Sequence, residues 1–109
     1  MKKNYCGFRS DSVGEATVSV NGSPLDPRCD LYNHSPCGFQ WGYAGSGPAQ
    51  LALALCADVL GDDARALRVY QDFKMLVIAP LRADTWNLSS DDIRSAIEQC
   101  EEGRRNAEL

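Results

Sequence analysis

The chain has 109 residues, 44% of them hydrophobic and 24% charged, with a net charge of −4 and a pI near 4.8. That length suits one domain with a single modest core. Net acidity argues against direct nucleic-acid binding, which rests on basic surface. The longest apolar run, 49–57, is too short to span a membrane and is flanked by Pro48 and Asp58.

The charge is unevenly spread. Residues 1–54 hold four acids and four bases, whereas 55–109 hold eleven acids against seven bases and carry all of the net charge. Such a chain fits a basic protein partner, including one that normally grips nucleic acid. Lys2 and Lys3 are followed by no apolar stretch, so no signal peptide is read and the expected compartment is the cytoplasm. The five cysteines are odd in number, contain no C-x-x-C, and include Cys56 within a run of Leu and Ala. Reduced and partly buried thiols are expected.

In chain order, residues 4–9 read as a first strand around Tyr5 and Phe8. Ala16, Val18 and Val20 alternate with Thr17 and Ser19, the pattern of a half-buried strand. Asn21-Gly22 follows at once and signals a hairpin, because both residues tolerate positive φ. The return strand, 23–25, is limited to an edge by Pro24. Residues 26–38 show no period and read as a loop. Phe39, Trp41 and Tyr43 then alternate with small or polar residues, which predicts a strand with an aromatic face.

Gly45-Ser46-Gly47-Pro48 breaks that strand. Pro48 suits the first helical position, with Ser46 or Gly47 as cap. The helix runs to about Leu60 and stops at Gly61. It is apolar on all sides except at Gln50 and Asp58, so it should be the most buried element. Asp62 and Asp63 open a second helix, whose stripe of Ala66, Tyr70, Phe73 and Val77 faces the core and which ends before Pro80. Trp86 and Leu88 mark a brief strand. Ser89 and Asp92 stand in capping-box spacing at the start of a third helix carrying Ile93, Ile97 and Cys100. The domain is expected to span 1–103, with 104–109 a frayed polar tail.

Several chemistries can be weighed on these residues. Cys29, His34 and Cys37 offer ligand types in one loop, but a structural zinc needs four ligands and the second tight pair is missing. His34 is the only histidine, so a Cys–His nucleophile would have to use it, and no accompanying catalytic motif appears. The glycine-rich turn could cradle an anion or nucleotide through free N–H groups, with Ser46, Gly47 and Trp41 as the residues involved. It matches neither G-x-x-x-x-G-K-[ST] nor G-x-G-x-x-G. The pairs Asp62-Asp63 and Asp91-Asp92 sit where the helix dipole already favours acids. The aromatic stripe of 39–43 reads as core rather than as a base-stacking platform. The remaining feature is the acidic third helix. It is either a solvated face or a carboxylate array that imitates phosphates and docks on a Lys/Arg groove.

The runs F-x-W-G-Y-x-G-S-G-P-A-Q-L-A-L-A-L and G-D-D-x-x-A-L-x-x-Y-Q-D-F-K resemble a family of small single-domain proteins of unknown function found in phages, other mobile elements and prokaryotic genomes. The resemblance covers 16–93 and is densest over 41–55. It implies no catalytic residues, and Cys29, Cys37, Cys56 and Cys100 stand outside the motif. By analogy, a small acidic phage-type protein resembles the anti-CRISPR class of inhibitors.

The expectation is therefore an α+β fold, a small antiparallel sheet of three or four strands packed by three helices in one domain. The expected function is a non-enzymatic inhibitor that binds the basic nucleic-acid-binding surface of a host defence complex, a Cas effector subunit by analogy, and blocks DNA access. Asp84, Asp91, Asp92, Glu98, Glu101 and Glu102 are the expected contacts, with Arg65, Arg68 and Asp72 as a second surface. The alternatives are a ligand module at the Gly-Ser-Gly-Pro turn and a Cys/His enzyme or metal protein. No cofactor or metal is assigned.

Overall fold

The structure is a computed structural model that describes residues 2–11, 14–35 and 38–107. Four strands, β1 (Asn4–Arg9), β2 (Ala16–Val20), β3 (Ser23–Pro24) and β4 (Thr85–Ser89), form one antiparallel sheet in the order β3-β2-β1-β4. Three helices cover one face: α1 (Ser46–Leu60), α2 (Asp63–Phe73) and α3 (Ser90–Ala107). This is the α+β sheet-and-helix architecture expected from the sequence.

The alternation in β1 decides which face is covered. Tyr5, Gly7 and Arg9 are buried, while Asn4, Cys6 and Phe8 face outward. Gly7 lies opposite Trp86 of β4, and a Cβ at Gly7 would stand 2.2 Å from the Trp86 indole. The glycine therefore makes room for the tryptophan on the inner face. The β2–β3 hairpin turns through Asn21 and Gly22, both at positive φ, as the Asn-Gly signal requires.

Leu51, Leu53 and Leu55 of α1 are all fully buried. Residues two apart point to opposite sides of a helix, so α1 is enclosed by the sheet, α2 and α3 together. It ends at Gly61, whose φ of 61° is left-handed and whose N–H donates to Ala57 O. The helix begins at Ser46, a half-turn earlier than Pro48 suggests, with Gly45 as its cap. Asp62 caps α2 by accepting from Arg65 N. α2 then widens into a π-helical turn, Lys74–Ile78, before Pro80. At α3, Ser89 N donates to Asp92 Oδ2 and Asp92 N to Ser89 Oγ, both at 3.0 Å, a reciprocal capping box. The helix continues to Ala107, through residues 104–107 of the stretch expected to fray.

The expected strand at 39–44 is not one. Phe39 and Trp41 do turn inward and Tyr43 outward, but positive φ at Gly38, just before the segment, and at Gly42, within it, breaks the extended run. Its polar groups are met by other means than a ladder. Trp41 O accepts from Arg9 Nη1 at 2.9 Å, Gly42 N donates to Ile78 O at 3.0 Å, and Gln40 Nε2 donates to Gly14 O at 2.9 Å. Buried Arg9, together with these bonds to Ile78 and Gly14, thus holds the segment beside the sheet instead of in it.

Candidate functional site: the charged faces of α2 and α3

The sequence placed contact residues on two separate charged surfaces. The structure brings the two together. Arg65 of α2 grips Glu101 of α3 with both arms of its guanidinium, Nε to Oε2 at 2.8 Å and Nη2 to Oε1 at 2.7 Å. Arg104 Nε pairs with Asp72 Oδ2 at 2.6 Å. These are ties between neighbouring helices, and the forked Arg65 pair has the geometry that makes such contacts strong. The guanidinium holds the Glu101 carboxyl below the usual carboxylate range.

Other acids also have structural partners. Asp92 closes the α3 capping box, and its hydrogen bonds from Ser89 hold it below the usual range. Asp84 accepts from Arg9 Nε at 2.9 Å. Asp91 lies 3.6 Å from Lys2 Nζ with both side chains well exposed, an arrangement that contributes little. Glu98, Glu102 and Arg68 are exposed and form no ion pair with a described residue. Asp91, Glu98 and Glu102, spaced by seven and then four residues, run along one stripe of α3 over about 16 Å at ~1.5 Å per residue.

The glycine-rich turn gives a different picture. Ser46 and Gly47 open onto a cleft of about 480 Å³ lined also by Glu15, Ser35, Gln40 and Tyr43. Gly47 is there for packing, since a Cβ would stand 2.8 Å from Gln40 Cβ. Trp41 is not part of the cleft. It is 1% exposed, donates Nε1 to Ala83 O, and meets Trp86 edge-on at 5.5 Å. Glu15 is the acid or base in the cleft's described lining, and its negative charge is the wrong sign for a phosphate.

Cys37 lies outside the described residues, so the Cys29–His34–Cys37 grouping weighed above falls partly beyond them. No group of three His, Cys, Asp or Glu side chains is disposed to hold a metal among the described residues. Burial pushes the thiols of Cys56 and Cys100 up, away from reactive thiolates. His34 stacks on Tyr32 with ring centroids 4.2 Å apart, and its Nε2 lies 2.7 Å from Tyr70 Oη. Gln71 Nε2 donates to that same Oη at 3.3 Å. The Tyr70 proton is then free to go to His34, which accepts it only when neutral.

Burial, and next Lys74, hold the His34 pKa below its usual value. As pH falls past ~6.5 the unfolded chain takes up this proton before the folded one does. The stability His34 contributes is therefore complete above that pH and is lost as pH falls through the folded value. The carboxylates with lowered pKa values act only in more acid solution. We expect the unfolding midpoint to drop between neutral pH and the mildly acid range, and the drop to shrink in His34→Gln. An equal slope in both proteins would refute this role for His34.

Two polar residues carry long-range contacts that the sequence did not mark as functional. Arg9 draws 39–42 and 82–84 together, and Gln50 gathers the 27–35 loop onto α1. Gln50 left a signal, as a lone uncharged polar residue in an apolar helix. Arg9 left none.

A four-stranded sheet with helices on one face and a charged α2–α3 surface defines a small two-layer α+β protein. The model described as "Family of unknown function (DUF6166)" matches residues 5–99, and the chain belongs to this family. The match takes in the whole sheet apart from Asn4, α1, α2, and α3 as far as Gln99. No curated protein and no solved structure matches the chain. No helix among the described residues is long and apolar enough to cross a membrane.

Proposed function

We propose that this protein is a non-enzymatic interaction protein whose α3 docks on a basic protein surface. The observation that carries this reading is the exposed acidic stripe Asp91, Glu98 and Glu102, two of whose carboxylates form no ion pair with a described residue. Asp84, Asp92, Glu101, Arg65 and Asp72 have structural partners, so the contact set narrows to that stripe with Arg68 at its flank. In its specific form the proposal is an anti-CRISPR-like inhibitor, of phage or mobile-element origin and acting in the host cytoplasm. It occupies the nucleic-acid groove of a defence complex such as a Cas effector subunit. Carboxylates at fixed spacing on a rigid helix suit a Lys/Arg groove and speed encounter with it.

The test is phage plating on a CRISPR-immune bacterial host that expresses the protein, with DNA binding by the purified effector as the second readout. The native chain should restore plating and displace DNA. Glu98→Lys/Glu102→Lys should lose both, without loss of fold, because both side chains are exposed. No protection by the native chain, or full protection by the double variant, would sink the proposal.

A further inference from the structure

The two edges of the sheet differ. β3 is two residues long and contains Pro24, and both features blunt an edge. β4 is Thr-Trp-Asn-Leu-Ser, with no charge, proline or glycine to discourage pairing. Its ladder to β1 is bracketed by Ser90 N to Lys3 O at 2.8 Å and Arg9 N to Asp84 O at 2.9 Å. Antiparallel bonding alternates along a pair, so with the observed register Trp86 and Leu88 bond inward to Gly7 and Tyr5. Thr85 and Asn87 therefore aim their N–H and C=O groups at the open edge. No described residue bonds to those groups outside the sheet ladder. Ser89 N, further along, is already taken by Asp92.

We propose that β4 is the pairing edge for a second copy of this chain, joined antiparallel about a twofold axis at Asn87, so that two four-stranded sheets continue as one. In that register Asn87 faces Asn87 of the second copy and Thr85 faces Ser89, all neutral side chains. Trp86 and Leu88 stay on the core side. Asp84 is already matched by Arg9, so it adds no unpaired charge to the seam. The segment entering β4 carries exposed Arg82, and the helix leaving it starts with Asp91 and Asp92. Antiparallel pairing turns the entry of one copy towards the exit of the other, which sets unlike charges side by side. This complementarity selects a second copy over an unrelated strand. The inference rests on the sheet edge and does not depend on the role proposed for Glu98 and Glu102.

The experiment is sedimentation equilibrium of the full chain over a wide concentration range. The native chain should approach twice 11.9 kDa as concentration rises. Asn87→Pro removes an outward N–H and leaves the bonds to β1 intact, because the neighbouring Trp86 and Leu88 make them. It should remain at the single-chain mass with native-like circular dichroism. Thr85→Lys, a charge on the same edge, should do likewise and serves if the proline variant does not fold. Thr17→Lys, on the outer sheet face away from this edge, should still dimerise. A native chain that stays monomeric throughout, or a folded Asn87→Pro that still dimerises, overturns the proposal.

Discussion

Gln50→Leu will cost on the order of 3–5 kcal/mol of folding stability. Gln50 is fully buried on α1 and uses both ends of its amide twice. Oε1 accepts from His34 N at 2.7 Å and Ser35 N at 3.1 Å. Nε2 donates to Pro27 O at 2.6 Å and Tyr32 O at 3.1 Å. Leucine has nearly the same volume, so cavity formation contributes little. The loss comes from four backbone groups left without partners. Each buried orphan costs about 1–3 kcal/mol, and the sum falls short of four such losses because the loop can lift and let water in. Against a total stability of about 5–15 kcal/mol the deficit is large. At ~4–8 °C per kcal/mol for a chain near this size, the midpoint should fall by well over 10 °C. Gln50→Glu separates the two halves of the clasp, since it keeps the acceptor for His34 and Ser35 but turns an oxygen towards two carbonyls. It should also be strongly destabilised. Thermal unfolding measures the size, and amide exchange at His34 and Ser35 locates it. A Gln50→Leu protein with native midpoint and unchanged protection of those amides would refute the assignment.

What the sequence could and could not reveal follows from the range of the contacts. The β2–β3 hairpin, the Gly61 stop, the start of α2 at Asp62-Asp63 and the Ser89/Asp92 capping box are decided within a few residues, and each stands where the sequence put it. The segment 39–44 departs from the strand its pattern predicts because its aromatic alternation is real while its backbone is governed from afar. Arg9 lies about thirty residues earlier in the chain, and its guanidinium binds Trp41 O and Gln40. The charged faces follow the same rule. Arg65 and Glu101 are far apart in sequence and appear there as two exposed charges, yet they close on each other across α2 and α3. Local pattern identifies a carboxylate; only packing tells whether it is already occupied. Acidity along the chain therefore overstates the free acidic surface, and on α3 beyond its capping box Glu98 and Glu102 are the carboxylates that packing leaves exposed and outside any ion pair with a described residue.

The same reasoning makes Arg9 the second position of large effect. Its side chain is 4% exposed, while its partner Asp84 is 48% exposed. Besides Asp84, the guanidinium serves Gln40 Oε1 and Trp41 O at 2.9 Å and reaches Arg82 O at 3.5 Å. It also lies 4.8 Å from the centre of the Trp41 ring. Removing either partner of a wholly buried ion pair costs about 3–5 kcal/mol, but here the carboxylate can return to water. The loss in Arg9→Met comes instead from the buried acceptors and from the segment they anchor, and should be about 2–4 kcal/mol. Arg9→Lys should do little better despite keeping the charge, because one ammonium cannot span acceptors laid out for a planar fork. Asp84→Asn should cost only about 1–2 kcal/mol, since three neutral acceptors and the indole face still hold the guanidinium. The chain's two tryptophans, Trp41 and Trp86, both lie in this cluster, so near-ultraviolet circular dichroism reads the site directly. The expected order of damage is Arg9→Met, then Arg9→Lys, then Asp84→Asn, in both tryptophan signal and unfolding midpoint. If Arg9→Lys keeps the native signal and midpoint, charge alone holds 39–42 in place and the fork geometry has no part in it.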